Sequence, residues 1–197
     1  MTLERFAKHV EERLPVEKVA DGGGLLWALD TPGIVSRDGV WLEFGVSGGY
    51  TLNAIAKRRG PQTKLWGLDS FRGLPEDWND RHPKGTFGRD SILMPPDGVN
   101  LLVGWYKDTL GSFHPSGISF VHLDCDLYSA GRTCLDWLGN APLHESGCVL
   151  VLDDCFTPPL DNGVLRALHE THSYWNHIDW LLRPEGTDVA VVRLRQQ

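Results

Sequence analysis

The sequence has no long apolar run and no dense cluster of basic residues. No stretch approaches the roughly 18 apolar residues that a membrane-spanning helix needs. The densest basic segment, KRRG at residues 57–60, is typical of a helix end, and the formal net charge of the 197-residue chain is −7. We therefore expect neither a nucleic acid nor a membrane among the partners of this protein.

Cysteine is also scarce, with four residues at the irregular positions 125, 134, 148 and 155 and no CxxC pair. The first residues, MTLERFAKHVEERLP, have the charged and periodic pattern of an amphipathic helix rather than that of a secretory signal. Without an export signal, reduced thiols and a cytoplasmic location are expected.

The chain does contain a regular alternation of apolar, strand-like segments and helix-like segments. This pattern predicts an α/β fold of the doubly wound class, with a parallel sheet covered by helices on both faces. We expect a single domain over residues 1–197, with an N-terminal helical cap (1–38) and an α/β core (39–197). The segments HIDWLLRP and TDVAVVRLR near the end predict an antiparallel hairpin. Residues 70–98, rich in Gly, Pro and Asp, predict a long and functional connection with one short helix.

Polar residues or glycines stand at the ends of five predicted strands. They are Glu43 and Gly45, Asp69, Gly104, Asp124 and Asp126, and Asp153 and Asp154. The carboxyl ends of parallel strands meet at one rim of the sheet, where doubly wound folds bind their ligands. Acids and glycines at every such end therefore predict one functional site.

The segment EFGVSGGY after the first of these strands permits three interpretations. A dinucleotide fingerprint fails because Ser47 stands where a second glycine is required. A nucleophile elbow fits G-x-S-x-G at Gly45–Gly49, but no earlier strand supplies a second oxyanion donor, and Ser47 does not explain the rim aspartates. The third is a glycine turn around an adenosyl amino acid. Glu43 would then face the cationic end, directly or through water, and Asp69 the ribose hydroxyls, which points to S-adenosylmethionine.

Longer motifs carry a family resemblance over roughly residues 40–157. WLEFGVSGGYTLNAIA, LWGLDSFRGLPEDW, LLVGWYKDTL, ISFVHLDCDLYSA and VLVLDDCF resemble, in order and spacing, the macrocin O-methyltransferase family of class I S-adenosylmethionine-dependent enzymes. The resemblance implies a seven-stranded, Rossmann-like sheet with a reversed last strand. It also implies Mg²⁺-assisted methylation of a small-molecule hydroxyl, often on a sugar of a natural product.

The resemblance also implies roles for individual residues. Asp124, Asp153 and Asp154 are the implied metal ligands, and Asp126 is the candidate general base; the reverse assignment of Asp124 and Asp126 stays open, as does a helix-capping role for Asp126. The residues expected to bind the cofactor are Glu43, Gly45, Val46, Ser47, Gly48, Tyr50, Thr51, Asp69, Ser70, Gly104, Trp105 and Asp124.

Other residues and functions remain as alternatives. Trp105 could be a core residue, Trp78 could border the acceptor site or anchor its loop, and His122 is expected to pack beneath the cofactor. A non-catalytic cofactor- or partner-binding module is the main rival function, followed by a serine hydrolase that uses Ser47. The segment before the first rim strand has only about 38 residues. This is shorter than in the larger members of the family that the chain resembles, so we expect an acceptor site that is either more open or completed by a second subunit in a homodimer.

Overall fold

The computed structural model of the protein describes residues 1–19 and 23–196. Its helices are α1 (Leu3–Glu11), α2 (Gly23–Asp30), α3 (Tyr50–Ala56), α4 (Tyr106–Thr109), α5 (Tyr128–Asn140) and α6 (Val164–Thr171). Its strands are β1 (Val16–Glu17), β2 (Val40–Phe44), β3 (Lys64–Asp69), β4 (Val99–Val103), β5 (Ile118–Leu123), β6 (Cys148–Leu152), β7 (His177–Pro184) and β8 (Ala190–Arg195).

The strands form one sheet in the order β1-β7-β8-β6-β5-β2-β3-β4. Strands β2 to β6 are parallel to one another, whereas β8 runs antiparallel to both β6 and β7. The predicted α/β class, the terminal hairpin and the reversed last strand are thereby confirmed. Within the described residues the sheet has eight strands rather than seven, because Val16 and Glu17 pair in parallel with the end of β7.

Apolar side chains cover both faces of the sheet, as the uninterrupted apolar strands predict. One face packs against α1, α5 and α6 through residues such as Phe6, Leu135 and Leu165. The opposite face packs against α2 and α3, with Leu29 and Leu52 in its core. The chain order reverses between β2 and β5, so a switch point lies in the middle of the parallel strands.

Residues 70–98, all of which are described, form an irregular connection without the short helix that the sequence predicted. Glycines and prolines interrupt this segment, and its backbone hydrogen bonds fold it back on itself, as between Leu74 and Thr86. Leu74 and the buried Trp78 pack against Leu127 and thereby fix the connection above the carboxyl ends of the strands.

The cysteines at the four positions named above are buried free thiols. Among the helices of residues 1–19 and 23–196, none combines the length and apolar character required to cross a membrane.

Candidate active site

A cavity of about 690 Å³ lies beyond the carboxyl ends of β2 to β5, at the switch point. Cavities that bind small molecules commonly measure about 300–1,000 Å³. Of the predicted cofactor-binding residues, the lining contains all but Glu43, namely Gly45, Val46, Ser47, Gly48, Tyr50, Thr51, Asp69, Ser70, Gly104, Trp105 and Asp124. Asp126 also lines it, so the glycine turn and three of the rim acids, Asp69, Asp124 and Asp126, face the same space.

The glycine turn between β2 and α3 approaches the backbone after β5 very closely. Gly45 has a φ of +88°, and a Cβ atom added there would collide with the carbonyl oxygen of Asp124. Ser47 also takes a positive φ, of 44°. Only a residue without a side chain fits at Gly45, which explains why the strand ends in glycine.

Asp69 holds this turn in place from the end of β3. Its Oδ2 accepts the backbone N–H groups of Val46 and Ser47 at 2.8 and 2.7 Å, and its Oδ1 accepts that of Phe71 at 2.7 Å. A carboxylate offers about four acceptor positions, so Asp69 can still accept a hydroxyl from the cavity. The predicted ribose acid therefore has a second task, which is to shape the turn.

The side chain of Ser47 does not have the surroundings of an activated nucleophile. Its Oγ donates to the carbonyl oxygen of Phe87 at 3.2 Å and accepts from Nε of Arg89 at 3.0 Å. A carbonyl and a guanidinium cannot take the proton of a serine, so these contacts give no support to the hydrolase interpretation.

Glu43 lies elsewhere than predicted. It is fully buried within β2, outside the cavity lining, and its Oε1 lies 3.0 Å from Nδ1 of His122. Along β2, residues alternate between the two faces, which turns Glu43 toward the α2 and α3 side and away from a ligand at the rim. The expected contact of Glu43 with the cationic end of a cofactor is therefore corrected to an internal pair with His122.

His122 itself connects this pair to the rim, since its Nε2 lies 3.9 Å from Oδ2 of Asp153. Burial lowers the pKa of His122, but its hydrogen bond with Glu43 and the nearby acidic charges outweigh burial, so the pKa lies above the ordinary value. His122 does lie beneath the site, as expected.

The rim acids gather in two overlapping groups. Carboxylate oxygens of Asp124, Asp126 and Asp154 lie within 4.8 Å of one another, and Asp124 forms a second such group with His122 and Asp153. Asp124 is thus common to both groups, whereas Asp153 and Asp154 belong to different ones. The implied triad of Asp124, Asp153 and Asp154 is therefore not brought together as a single compact group, whereas Asp126 does lie in one group with Asp124 and Asp154.

The backbone produces this arrangement. Strand β5 ends at Leu123, and Asp126 then takes a φ of 58°, while Asp154 takes a φ of 49° after β6. Left-handed conformations are uncommon outside glycine and cluster at functional sites. The cap of α5 is Leu127, with no capping hydrogen bond from a side chain, so Asp126 does not cap that helix.

Burial and mutual repulsion favour protons on these acids. Burial raises the pKa of Asp124 to about 7, with Asp153 and Asp154 adding to the effect and His122 opposing it. The pKa of Asp126 is also raised to about 7, by burial and then by Asp124 and Asp154. Burial raises the pKa of Asp154 as well. A group of carboxylates with such surroundings is a suitable place for a cation.

Comparisons with known proteins agree with this geometry. No protein-family model matches the chain. It is 28% identical over 182 residues to 8-demethyl-8-(2,3-dimethoxy-alpha-L-rhamnosyl)-tetracenomycin-C 4'-O-methyltransferase of Streptomyces olivaceus, covering 80% of this chain and 65% of that protein. It is 28% identical over 166 residues to mycinamicin III 3''-O-methyltransferase of Micromonospora griseorubida, covering 71% and 60%. The chain thus spans less than two thirds of the length of these curated relatives.

Solved structures resemble this protein over nearly the whole chain. The calicheamicin methyltransferase CalS11 superposes with a TM-score of 0.61 at 18% identity, covering 97% of this chain and 77% of that one. The cofactor-bound Rv0187 from MTB gives 0.58 at 21% identity, with coverages of 99% and 88%. The chain has the class I methyltransferase fold. Identities this low establish the fold alone.

Within this methyltransferase fold, the sequence motifs did not indicate every residue of the cavity. Lys84, Phe87 and Arg89 line it from the irregular connection, where no periodic pattern assigns a side chain to a face. The only signal in the sequence for these residues was the presence of cationic side chains in a connection that we expected to be functional. Trp78, by contrast, is buried and outside the lining, which favours the loop-anchoring alternative.

Proposed function

We propose that this protein is an S-adenosylmethionine-dependent O-methyltransferase that uses Mg²⁺ to methylate a hydroxyl of a small molecule, such as a sugar of a natural product. One observation carries the proposal: a single cavity joins the glycine turn and Asp69 to the acids Asp124 and Asp126. The curated relatives, both O-methyltransferases by name, support the same reaction class.

The cavity residues suit the cofactor. Asp69 has remaining acceptor capacity for ribose hydroxyls, and Trp105, half-buried at the start of α4, offers an aromatic face for adenine. The close backbone approach at Gly45 keeps side-chain atoms out of the space between these residues. The donor set beside it consists of carboxylate oxygens, the ligands that Mg²⁺ prefers.

When bound, S-adenosylmethionine would supply an electrophilic methyl group, and Mg²⁺ would supply a Lewis acid that lowers the pKa of a hydroxyl. Asp124 is the candidate principal ligand because it belongs to both acidic groups. Asp154 would join it in one of these groups and Asp153 in the other, both from the next strand end. Asp126 would accept the hydroxyl proton; a pKa near 7 suits a base that acts at neutral pH. The pKa of Asp124 is raised equally, so we base this division of roles only on the membership of Asp124 in both acidic groups, and the reverse assignment is the alternative.

The proposal also covers the location of the protein, its acceptor site and one rival function. Buried, free thiols suit a reducing cytoplasm. The acceptor site would be either open or completed by a second subunit. A non-catalytic module that holds cofactor without turnover is the rival, and it differs from the enzyme only in the fate of the methyl group.

Calorimetric titration with S-adenosylhomocysteine tests the cofactor part of the proposal. We expect saturable 1:1 binding by the wild type and at least a 10-fold loss with Asp69→Asn, whose amide cannot replace all the accepted hydrogen bonds. Asp38→Asn is the matched control, because Asp38 is exposed just before β2 and outside the cavity lining. A wild type that does not bind the ligand would refute the proposal.

A further inference from the structure

The cavity contains a cation that the function proposed so far does not use. Arg89, in the connection between β3 and β4, lines the cavity beside the glycine turn. Its backbone N–H donates to the carbonyl of Phe71 at 2.9 Å, and its Nε donates to Oγ of Ser47 at 3.0 Å. Within the described part of the chain, this is the only side-chain hydrogen bond of Arg89, which leaves its two terminal nitrogens available to a ligand.

The order of the strands indicates which part of the cofactor lies there. The strands lie side by side in the order β5, β2, β3, β4. Along the rim, the acidic cluster therefore comes first, followed by the glycine turn, then Asp69, then Trp105. With adenine at Trp105, ribose at Asp69 and the reactive methyl directed toward the acids, the amino-acid portion must cross the turn. The nearest atom of Arg89 there is Nη2, 3.0 Å from where a Cβ on Gly48 would stand.

The carboxylate of the amino-acid portion, where it crosses the glycine turn, needs a nearby cation. Asp69, Asp124 and Asp126 line the same cavity and repel an anion. The backbone N–H groups of Val46 and Ser47 are not free to bind it, because they already donate to Asp69. Helix α3 has only 7 residues and adds little dipole. A guanidinium matches a carboxylate in charge and geometry.

We propose that Arg89 binds the carboxylate of the methionine portion of S-adenosylmethionine, with Ser47 orienting its side chain. This inference rests on the proposed function. It assigns a task to the long connection, and it gives Ser47 a role other than that of a nucleophile.

Decarboxylated S-adenosylmethionine is the probe, because it lacks this carboxylate and keeps the amine, the sulfonium and the nucleoside. We expect the wild type to bind S-adenosylmethionine about 10- to 30-fold more tightly than the decarboxylated form, measured by calorimetry. Arg89→Ala should remove this preference and leave the affinity for the decarboxylated form nearly unchanged. Arg89→Lys should keep part of the preference, which should also decline with added salt.

Two control variants separate Arg89 from the other cations of the same connection. Arg81→Ala removes one positive charge at an exposed site outside the cavity lining and should retain the full preference. Lys84→Ala tests the other cation that this connection contributes to the lining. If Arg89→Ala keeps the wild-type preference, or Lys84→Ala removes it instead, the inference is overturned. A wild type that binds neither compound overturns the proposed function itself, which is a distinguishable result.

Discussion

Nδ1 of His122 lies 3.0 Å from Oε1 of Glu43, and the two side chains are 1% and 0% exposed. The other oxygen of Glu43, Oε2, is buried and has no hydrogen-bond partner among the described residues. The pair therefore stands in the sheet interior beneath the acidic rim, and among the described residues His122 is the side chain that partners Glu43.

Removal of the imidazole should destabilise the fold, because a buried carboxylate is then left without its partner. We expect His122→Ala to lower the free energy of unfolding by about 3 kcal/mol. His177→Ala, which breaks the exposed pair of His177 with Asp179, should cost less than about 1 kcal/mol. Urea denaturation of both variants measures the difference, and equal losses would contradict the buried role of the pair.

The glycine turn permits an equally sharp comparison. Gly45→Ala places a Cβ against the carbonyl oxygen of Asp124 at a positive φ and should prevent the native approach of β2 and β5. Gly33 has a φ of +79° with no described atom within 4 Å of an added Cβ, so Gly33→Ala should cost only about 1–2 kcal/mol, from the backbone conformation alone. Thermal unfolding distinguishes the variants. A Gly45→Ala protein as stable as Gly33→Ala would show that the turn is not tightly packed.

The acids of the rim predict a pH dependence of stability in the presence of EDTA. Asp124 and Asp126 have pKa values near 7 in the folded chain, above the value of about 4 of an unfolded aspartate. The folded state therefore binds more protons between pH 4 and pH 7, and these groups destabilise it progressively as the pH rises through that window.

Asp126→Asn isolates this contribution. Relative to the wild type, the variant should gain stability as the pH rises from 4 to 7, by on the order of 2 kcal/mol. Asp38→Asn, at an exposed site, should show a difference that does not change with pH. Urea unfolding at several pH values measures both. If the stability difference between Asp126→Asn and the wild type did not change with pH, the carboxyl of Asp126 would be solvated like that of an exposed aspartate.

Much of the fold followed from local patterns. The apolar runs, the glycine turn and the acids or glycines at the strand ends sufficed to predict the parallel sheet and the rim, because period and turn chemistry are local properties. The direction of the Asp126 side chain did not follow from the local pattern, however. Asp124 and Asp126 both lie beyond the end of β5, and the left-handed backbone of Asp126, rather than strand alternation, sets its direction.

Contacts between residues that are far apart in the sequence could not be predicted in this way. Glu43 and His122 are 79 residues apart and form a pair only because β2 and β5 are neighbours in the sheet. Arg89 comes from a connection without periodicity, so its approach to Ser47 depends on how that segment folds back over the turn. Such contacts depend on tertiary structure and leave no local signature.

Methyl transfer to a hydroxyl acceptor is the measurement that tests the central claim most directly. The protein should release S-adenosylhomocysteine with Mg²⁺ and a diol-bearing sugar or a catechol, together with a methyl ether identified by mass spectrometry. EDTA should abolish release, and Asp126→Asn should slow it about 100-fold, whereas Asp38→Asn should not. Tight cofactor binding without transfer to any hydroxyl, or transfer that is indifferent to both EDTA and Asp126→Asn, would contradict the account.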